Sequence, residues 1–395
     1  MNKKNYVFKD FVFGKKDPIF GLVEKFNSDS REEKINLCIG IYKNELDKVH
    51  ILKVVKQAEN EILKSELNKN YLPMVGLKEF IECSQKLILG NIVINHKNIV
   101  TVQTVGGTGA IRIISEFISK FGISKRVWIS NFSWKNHFKI FKSCGFEIFT
   151  YKYFDIKSKK ISFSKVLEDL NKSKRGDVII FQGCCHNPTG LDFTMCQLEY
   201  LSDLSYKRKL IPVFDISYQG LGNSLKEDVR CIEIFLKKNL EIFIVNSYSK
   251  NFCLYSERVG CLTFISESSI LADKVLSQIK SIIRNNYSTP PSHGAMIVSK
   301  ILSNGYLKNK WKLELKCMRE RTNKMKIEFF KRIKKKFRIT RNTNGMFSIL
   351  DIDKEKIRFL RKKYAIYLEE SGRINFSCLT DRNISYVCNV LNKVL

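Results

Sequence analysis

The stretch Ser247–Gly260, SYSKNFCLYSERVG, follows the apolar run Ile242-Phe243-Ile244-Val245. Four consecutive apolar residues between Glu241 and the polar pair Asn246-Ser247 read as a parallel strand buried on both faces and ending at a sheet's carboxyl edge. Ligands of open α/β sheets bind at that edge. A lysine placed there, Lys250, can form a Schiff base with an aldehyde. The small hydroxyl residues before it and Arg258 eight positions later can grip a phosphate. An amine and a phosphate grip side by side suit pyridoxal phosphate (PLP). In so lysine-rich a chain the same letters also fit a solvated loop, so the reading depends on the surrounding sequence.

That surrounding sequence, from about 97 to 265, alternates strand and helix patterns and implies a mainly parallel sheet covered on both faces. Strands are read at Ile99–Gln103, Arg126–Ser130, Asp177–Gln182, Leu210–Phe214, Glu241–Val245 and Gly260–Ile265. The first leads into Gly106-Gly107-Thr108-Gly109 and a helix with Ala110, Ile113, Ile114, Phe117, Ile118 and Phe121 on one face. Glycines there let the backbone approach an anion at the helix N-terminus, although an ordinary tight turn has the same composition. Near 310 the character changes. Trp311, Leu315, Met318, Thr322, Met325, Phe329 and Ile333 recur at spacings of three and four and predict a long amphipathic helix. It joins the sheet domain to a smaller one holding a strand at Met346–Leu350.

The strand ends carry further chemistry. Asp215 follows the Leu210–Phe214 run, with Tyr218 three residues on; a buried carboxylate needs a cation, and a protonated ring nitrogen is one. An Asp at that place also serves as a helix cap. After Gln182 comes GCCHNPTG, which sets Asn187 before Pro188 in a rigid turn compatible with a cis bond or in a plain loop. Trp134, after the strand ending at Ser130, can stack on a flat ring or serve as core.

Composition bounds the rest. The 395 residues, 44% hydrophobic, can bury a large core, and no apolar run is long enough to cross a bilayer. Lys9, Asp10, Lys15 and Lys16 interrupt the amino-terminal segment, so a cytoplasmic protein without a secretory signal is expected. Residues 1–13, with Tyr6, Phe8, Phe11 and Phe13, read as an extended arm that needs a surface to pack on. Twelve cysteines without a CxxC pair point to reduced, buried thiols, and the adjacent Cys184 and Cys185 are poorly placed to bridge or to share a metal; no metal site is expected. The net charge of +30 suits anionic partners. The charge is spread along the chain, however, and its densest run, Lys331–Arg341, lacks aromatic platforms and reads as a solvated face.

Taken together, DPIFGLVEKF, REEKINLCIGIYK, NYLPMVGLKEF, QTVGGTGAIRI, HNPTG, FDISYQG, SYSKNFCLYSERVG, NYSTPPSHGA and SGRINF closely resemble, in order and over nearly the whole chain, the class I aspartate aminotransferases. The resemblance implies an α/β fold-type I PLP-dependent transferase. It would have a large PLP-binding domain (48–315) with a mainly parallel seven-stranded sheet, a smaller α/β domain (14–47 and 316–395) and a homodimer with shared active sites. It also implies amino transfer from L-aspartate to 2-oxoglutarate, giving oxaloacetate and L-glutamate. Lys250 matches the Schiff-base lysine that moves the substrate proton. Asp215 matches the partner of the ring nitrogen, and Tyr218 and Asn187 the groups that bond the ring's phenolic oxygen. Gly107, Thr108, Ser247 and Arg258 resemble the phosphate cradle, with Tyr71 added from the partner subunit, and Trp134 the residue stacked on the ring. Arg373 matches the residue for the α-carboxylate, Arg284 the partner subunit's residue for the side-chain carboxylate, and Gly40 a position that closes over the substrate. An arginine's planar fork suits both carboxylates.

The chain departs from the family pattern in places. Phe132 and Lys135 replace prolines around Trp134, Gln182 a common histidine, Cys253 a glycine and Thr289 an asparagine; His137 then remains as the imidazole behind Asp215. An aromatic-preferring aminotransferase of the same fold is the nearest alternative. From another class, a basic nucleic-acid-binding protein on a retired enzyme fold is disfavoured by the intact set Lys250, Asp215, Tyr218, Asn187 and Arg258.

Overall fold

A computed structural model of the chain describes residues 8, 10–14, 17–65, 68–90, 98–122, 124–238, 241–334 and 339–394. At its centre lie β1 (Ile99–Val105), β2 (Arg126–Ser130), β3 (Glu147–Tyr151), β4 (Val178–Gln182), β5 (Ile211–Ile216), β6 (Ile242–Ser247) and β7 (Val259–Ile265). They form one seven-stranded sheet in the order β1-β7-β6-β5-β4-β2-β3. β7 is antiparallel to both its neighbours, and every other pair is parallel. The apolar runs mark all of these except β3, an edge strand whose Glu147 and Thr150 are exposed and interrupt its pattern.

Successive residues of a strand point to opposite faces, so a strand covered on both sides must be apolar throughout. Ile242 and Ile244 accordingly pack with Phe181 and Phe214 on one face, and Phe243 and Val245 with Ile180 and Val213 on the other. The second face is covered by α1 (Gly106–Phe121) through Ala110, Ile113, Ile114 and Ile118. Phe121, expected on the same stripe, is 45% exposed because the helix ends as it leaves the sheet. α2 (Lys135–Ser143) follows β2, and α3 (Ser269–Asn286) adds Val275 and Ile279 to that core.

α4 (Gly305–Arg332) carries the long stripe, all of it buried. Trp311, Leu315 and Met318 join the core that contains Phe181 and Phe214. Met325, Phe329 and Ile333 join a separate core with Leu37, Leu360, Ile374 and Leu391. Two short strand pairs frame that second body: Ile35–Asn36 runs parallel to Ile366–Tyr367, and Phe347–Ile349 antiparallel to Arg373–Asn375. The strand read at Met346–Leu350 is thus a residue shorter at each end.

Residues 1–7 and 9 of the expected arm lie outside the described residues. Of its aromatic rings, Phe8, Phe11 and Phe13 are exposed. Residues 335–338 of the basic run also lie outside, while Lys331 and Arg332 pair with Glu328 on their own helix. All twelve cysteines are free; most are at least partly buried, but Cys196 and Cys317 are exposed. Among the described residues no helix is long and apolar enough to cross a membrane.

The turn after β4 meets the second body directly. The Asn187–Pro188 peptide is cis, and Gly190 accepts a hydrogen bond from the Asn344 amide at 2.7 Å. Gly190 has φ 70°, and a Cβ there would lie 2.3 Å from the Phe347 carbonyl oxygen. Left-handed strain and overpacking therefore add, and Gly190→Ala is expected to destabilise the protein by about 3 kcal/mol. A shift of the denaturant midpoint checks this; an unchanged midpoint would mean that the loop yields freely.

Candidate active site

The parallel strands β1, β5 and β6 end at the same sheet edge at which the antiparallel β7 begins. Val259 pairs with Val105 and Gly260 with Ser247, so Arg258, just before β7, is delivered beside Gly106, just after β1. A cavity of about 550 Å³ opens there. It is lined by Gly40, Gly107, Thr108, Trp134, Asn187, Asp215, Tyr218, Ser247, Lys250, Arg258 and Arg373, which is every predicted site residue except Tyr71 and Arg284. Those two are exposed and lie outside it.

One end of the cavity is built for an anion. α1 starts at Gly106 with no side-chain hydrogen bond capping it, so its first amide groups are free to face a ligand. A Cβ on Gly106, at φ 66°, would lie 2.6 Å from the Arg258 guanidinium, and one on Gly260 2.7 Å from the Gly106 carbonyl carbon. Backbone, guanidinium and the hydroxyls of Ser247 and Ser249 are therefore packed around one small space, which fits a phosphate. Gly40 differs: an added Cβ would touch only Phe347, at an ordinary 3.7 Å.

The other polar groups face the cavity's floor. Asp215 is buried; its Oδ1 accepts from the Ser217 hydroxyl at 2.6 Å and its Oδ2 meets His137 Nε2 at 3.0 Å. Burial works to raise this carboxyl's pKa, but His137, Ser217 and Lys250 outweigh it and hold the pKa below the usual carboxylate value. An ionised carboxylate only accepts, so His137 Nε2 carries a proton toward Asp215, and the other ring nitrogen, Nδ1, lies 2.9 Å from the Ser133 hydroxyl. Gln182 completes the chain. Its Nε2 donates to Ser133 Oγ at 3.2 Å and to the Asn187 carbonyl at 3.0 Å, and its Oε1 accepts from the Asn187 amide at 2.8 Å. Gln182 thus anchors the turn and links it to the Ser133 hydroxyl beside His137 with a group that does not titrate.

Lys250 has its amine 4.9 Å from the centre of the Tyr218 ring. Burial lowers its pKa, with Arg258 and Arg373 adding repulsion against the pull of Asp215. Burial likewise pushes the Tyr218 phenol up, against the pull of the Arg373 charge. Arg373, also buried, donates from Nη1 to Asn187 Oδ1 at 2.8 Å and from Nη2 to the Cys38 carbonyl at 2.6 Å. Each of those nitrogens keeps a second N–H, a pair able to grip a carboxylate. The lysine, the buried carboxylate and the phosphate-sized cradle together fit PLP.

A sequence profile described as "Aminotransferase class I and II" matches residues 32–391. The chain belongs to the class I and II aminotransferases. It is 41% identical over 396 residues to "Aspartate aminotransferase" of Escherichia coli (strain K12), covering 98% of this chain and 100% of that one. Its fold superposes with a TM-score of 0.95 on an aromatic-amino-acid aminotransferase from Burkholderia pseudomallei covalently bound to pyridoxal phosphate, at 37% identity over 99% of this chain and 100% of that one. The aspartate aminotransferase from Saccharomyces cerevisiae cytoplasm also matches at a TM-score of 0.95, with 30% identity over 98% of each chain.

Against the family pattern, the departures are now placed. Cys253 has φ 55°, a left-handed conformation that explains why glycine is usual there. Phe132 packs edge-on against Phe154, 5.1 Å away. Cys184 and Cys185 come closer to a shared point than their adjacency suggested: their sulfurs and the Asp228 carboxylate lie within 4.8 Å of one another. That carboxylate is already held by the amides of Gly220, Gly222 and Asn223. Ser249, one of the small hydroxyl residues read before Lys250, lines the cavity, as do Ser217 and Tyr255, which sequence reasoning missed; nothing local marks Tyr255.

The lowered lysine pKa has a consequence for the cofactor-free protein. Below 10.5, the ordinary lysine value, the unfolded chain holds a proton that the native site binds less tightly, so Lys250 opposes folding at neutral pH. Lys250→Met should raise the neutral-pH denaturation midpoint, and its advantage over the native protein should shrink as pH rises toward 10.5. An advantage that grew with pH would contradict the assignment.

Proposed function

We propose that this aminotransferase moves an amino group between L-aspartate and 2-oxoglutarate, giving oxaloacetate and L-glutamate, with PLP as its cofactor. The observation that carries this reading is the meeting of Lys250, Asp215, Arg258 and Arg373 around one cavity at the sheet edge. The 41% identity to an aspartate aminotransferase over essentially both whole chains supports the substrate pair. PLP, when bound, supplies an electron-withdrawing ring that weakens the bond between the substrate's Cα and its hydrogen.

Each residue's part follows from its surroundings. Arg258, Ser247, Gly107 and Thr108 would hold the phosphate and so fix the cofactor's position. Asp215, kept ionised by His137 and Ser217, would hold a proton on the ring nitrogen. Tyr218 and Asn187 would bond the phenolic oxygen, and Trp134 would cover one face of the ring. The two uncommitted N–H groups of Arg373 would take the α-carboxylate and orient the substrate. Lys250, with a pKa held down by burial, is suited to take a proton from Cα as general base and return it as acid.

The side-chain carboxylate would be met by Arg284 of a second copy, and Tyr71 would reach the phosphate in the same way. Both are exposed on their own subunit, which agrees with a homodimer with shared sites. The aromatic residues of the amino-terminal arm would then gain the surface they need. We place the domain boundaries at 48 and 315, and the protein in the cytoplasm. The +30 charge is assigned to the protein surface rather than to nucleic acid.

Adding aspartate to the PLP-loaded enzyme should change its visible absorbance as the amino group is taken up, and 2-oxoglutarate should reverse the change. Lys250→Ala should lose both that response and nearly all turnover; retention of either would overturn the role of Lys250. Arg284→Leu should lower kcat/KM for aspartate by about a hundredfold or more, the scale of a broken charge-assisted bidentate pair, while sparing phenylalanine. Equal losses on both substrates would favour the aromatic-preferring reading, which the solved aromatic-amino-acid aminotransferase neighbour keeps open.

A further inference from the structure

Lys135 is the first residue of α2, where a cation meets the positive end of the helix dipole. Its position needs another cause, and Glu369 supplies one. Lys135 Nζ lies 2.7 Å from Glu369 Oε1. The other oxygen, Oε2, lies 3.2 Å from Nε of Arg373. Glu369 and Arg373 are both buried, 4% and 2% exposed, whereas the Lys135 side chain is half exposed. The three charges thus form a row from the surface beside Trp134 to the guanidinium in the cavity.

Consider the row without its lysine. Glu369 would then sit unopposed against the guanidinium, and the pair would be neutral overall at the place where a carboxylate has to bind. With Lys135 present the row keeps a net single positive charge. The field reaching the cavity therefore depends on a residue that does not itself touch the substrate. The guanidinium's orientation is set by Nη1 on Asn187 and Nη2 on Cys38, which fixes the direction of the remaining N–H groups, and Glu369 pairs with Nε by charge at 3.2 Å.

We propose that Lys135 is a positioning residue for substrate affinity: it neutralises Glu369 so that the charge of Arg373 stays available to the substrate carboxylate. The inference rests on Arg373 as the carboxylate site, and the experiment separates the two.

Steady-state kinetics with aspartate and 2-oxoglutarate would be measured on the PLP-loaded native enzyme and on Lys135→Met, Lys135→Arg, Glu369→Gln with Lys135→Met, and Arg373→Lys. Lys135→Met should raise KM for both substrates about fivefold, the scale of a partly exposed ion pair, with kcat within about twofold. Lys135→Arg should behave as the native enzyme. The double variant should recover most of the KM lost by Lys135→Met, because Arg373 is then freed from both neighbours. A simple structural tether predicts the opposite, a double variant at least as impaired as the single one, and that result would overturn the proposal. So would an unchanged KM in Lys135→Met. If instead Arg373→Lys leaves KM unaltered, the carboxylate assignment itself fails, whatever Lys135 does.

Discussion

One antiparallel strand in an otherwise parallel sheet decides where the site's groups fall. Parallel strands all end at the same edge, so an anion site there needs a basic residue brought in by a segment arriving from the other direction. β7 does this: its pairing with β1 and β6 is in register over its whole length, and that register sets Arg258 against Gly106 and Gly260 against the backbone of Gly106. Lys250 lies on the link between β6 and β7. A slip of one residue would turn every side chain of β7 to the opposite face, so packing of Leu262 and Phe264 on one side and Cys261 on the other guards the site's geometry.

The second constraint is electrostatic. The cavity gathers Lys250, Arg258 and Arg373, with Asp215 as the carboxylate at its floor. Buried charge is tolerated only when it is answered: His137 and Ser217 serve Asp215, Glu369 serves Arg373, and Ser249 and the Tyr255 carbonyl serve Arg258, while the Lys250 amine faces the Tyr218 ring and burial lowers its pKa. The surplus of positive charge that remains matches ligands that are all anions, a phosphate and carboxylates. Gln182 ties the hydrogen-bond chain behind Asp215 to the Asn187 turn.

Much of this was legible in the sequence, for physical reasons. Buried parallel strands have to be mainly apolar, so β4, β5 and β6 announce themselves, and chemistry at the carboxyl ends of such strands is where Lys250, Asp215 and Asn187 stand. β3 escaped because an edge strand can afford exposed Glu147 and Thr150. Arg373 and Arg284 could not be picked from so many basic residues by pattern alone and came from family resemblance. The contact between Lys135 and Glu369 spans 234 residues, and no local signal joins a helix's first residue to the approach of a strand that far along the chain. Cys184 and Cys185 show the converse, since adjacency in sequence said little about what the fold gathers around them.

α4 lends one set of side chains to the core under the sheet and another to the core around Leu37 and Ile374. A continuous hydrogen-bonded rod shared in this way couples the two bodies mechanically. Melting of either would fray the helix that the other relies on, which ties the stability of one to that of the other. Any rocking of one body against the other must instead be absorbed where the stripe changes over, in the turns between Met318 and Met325.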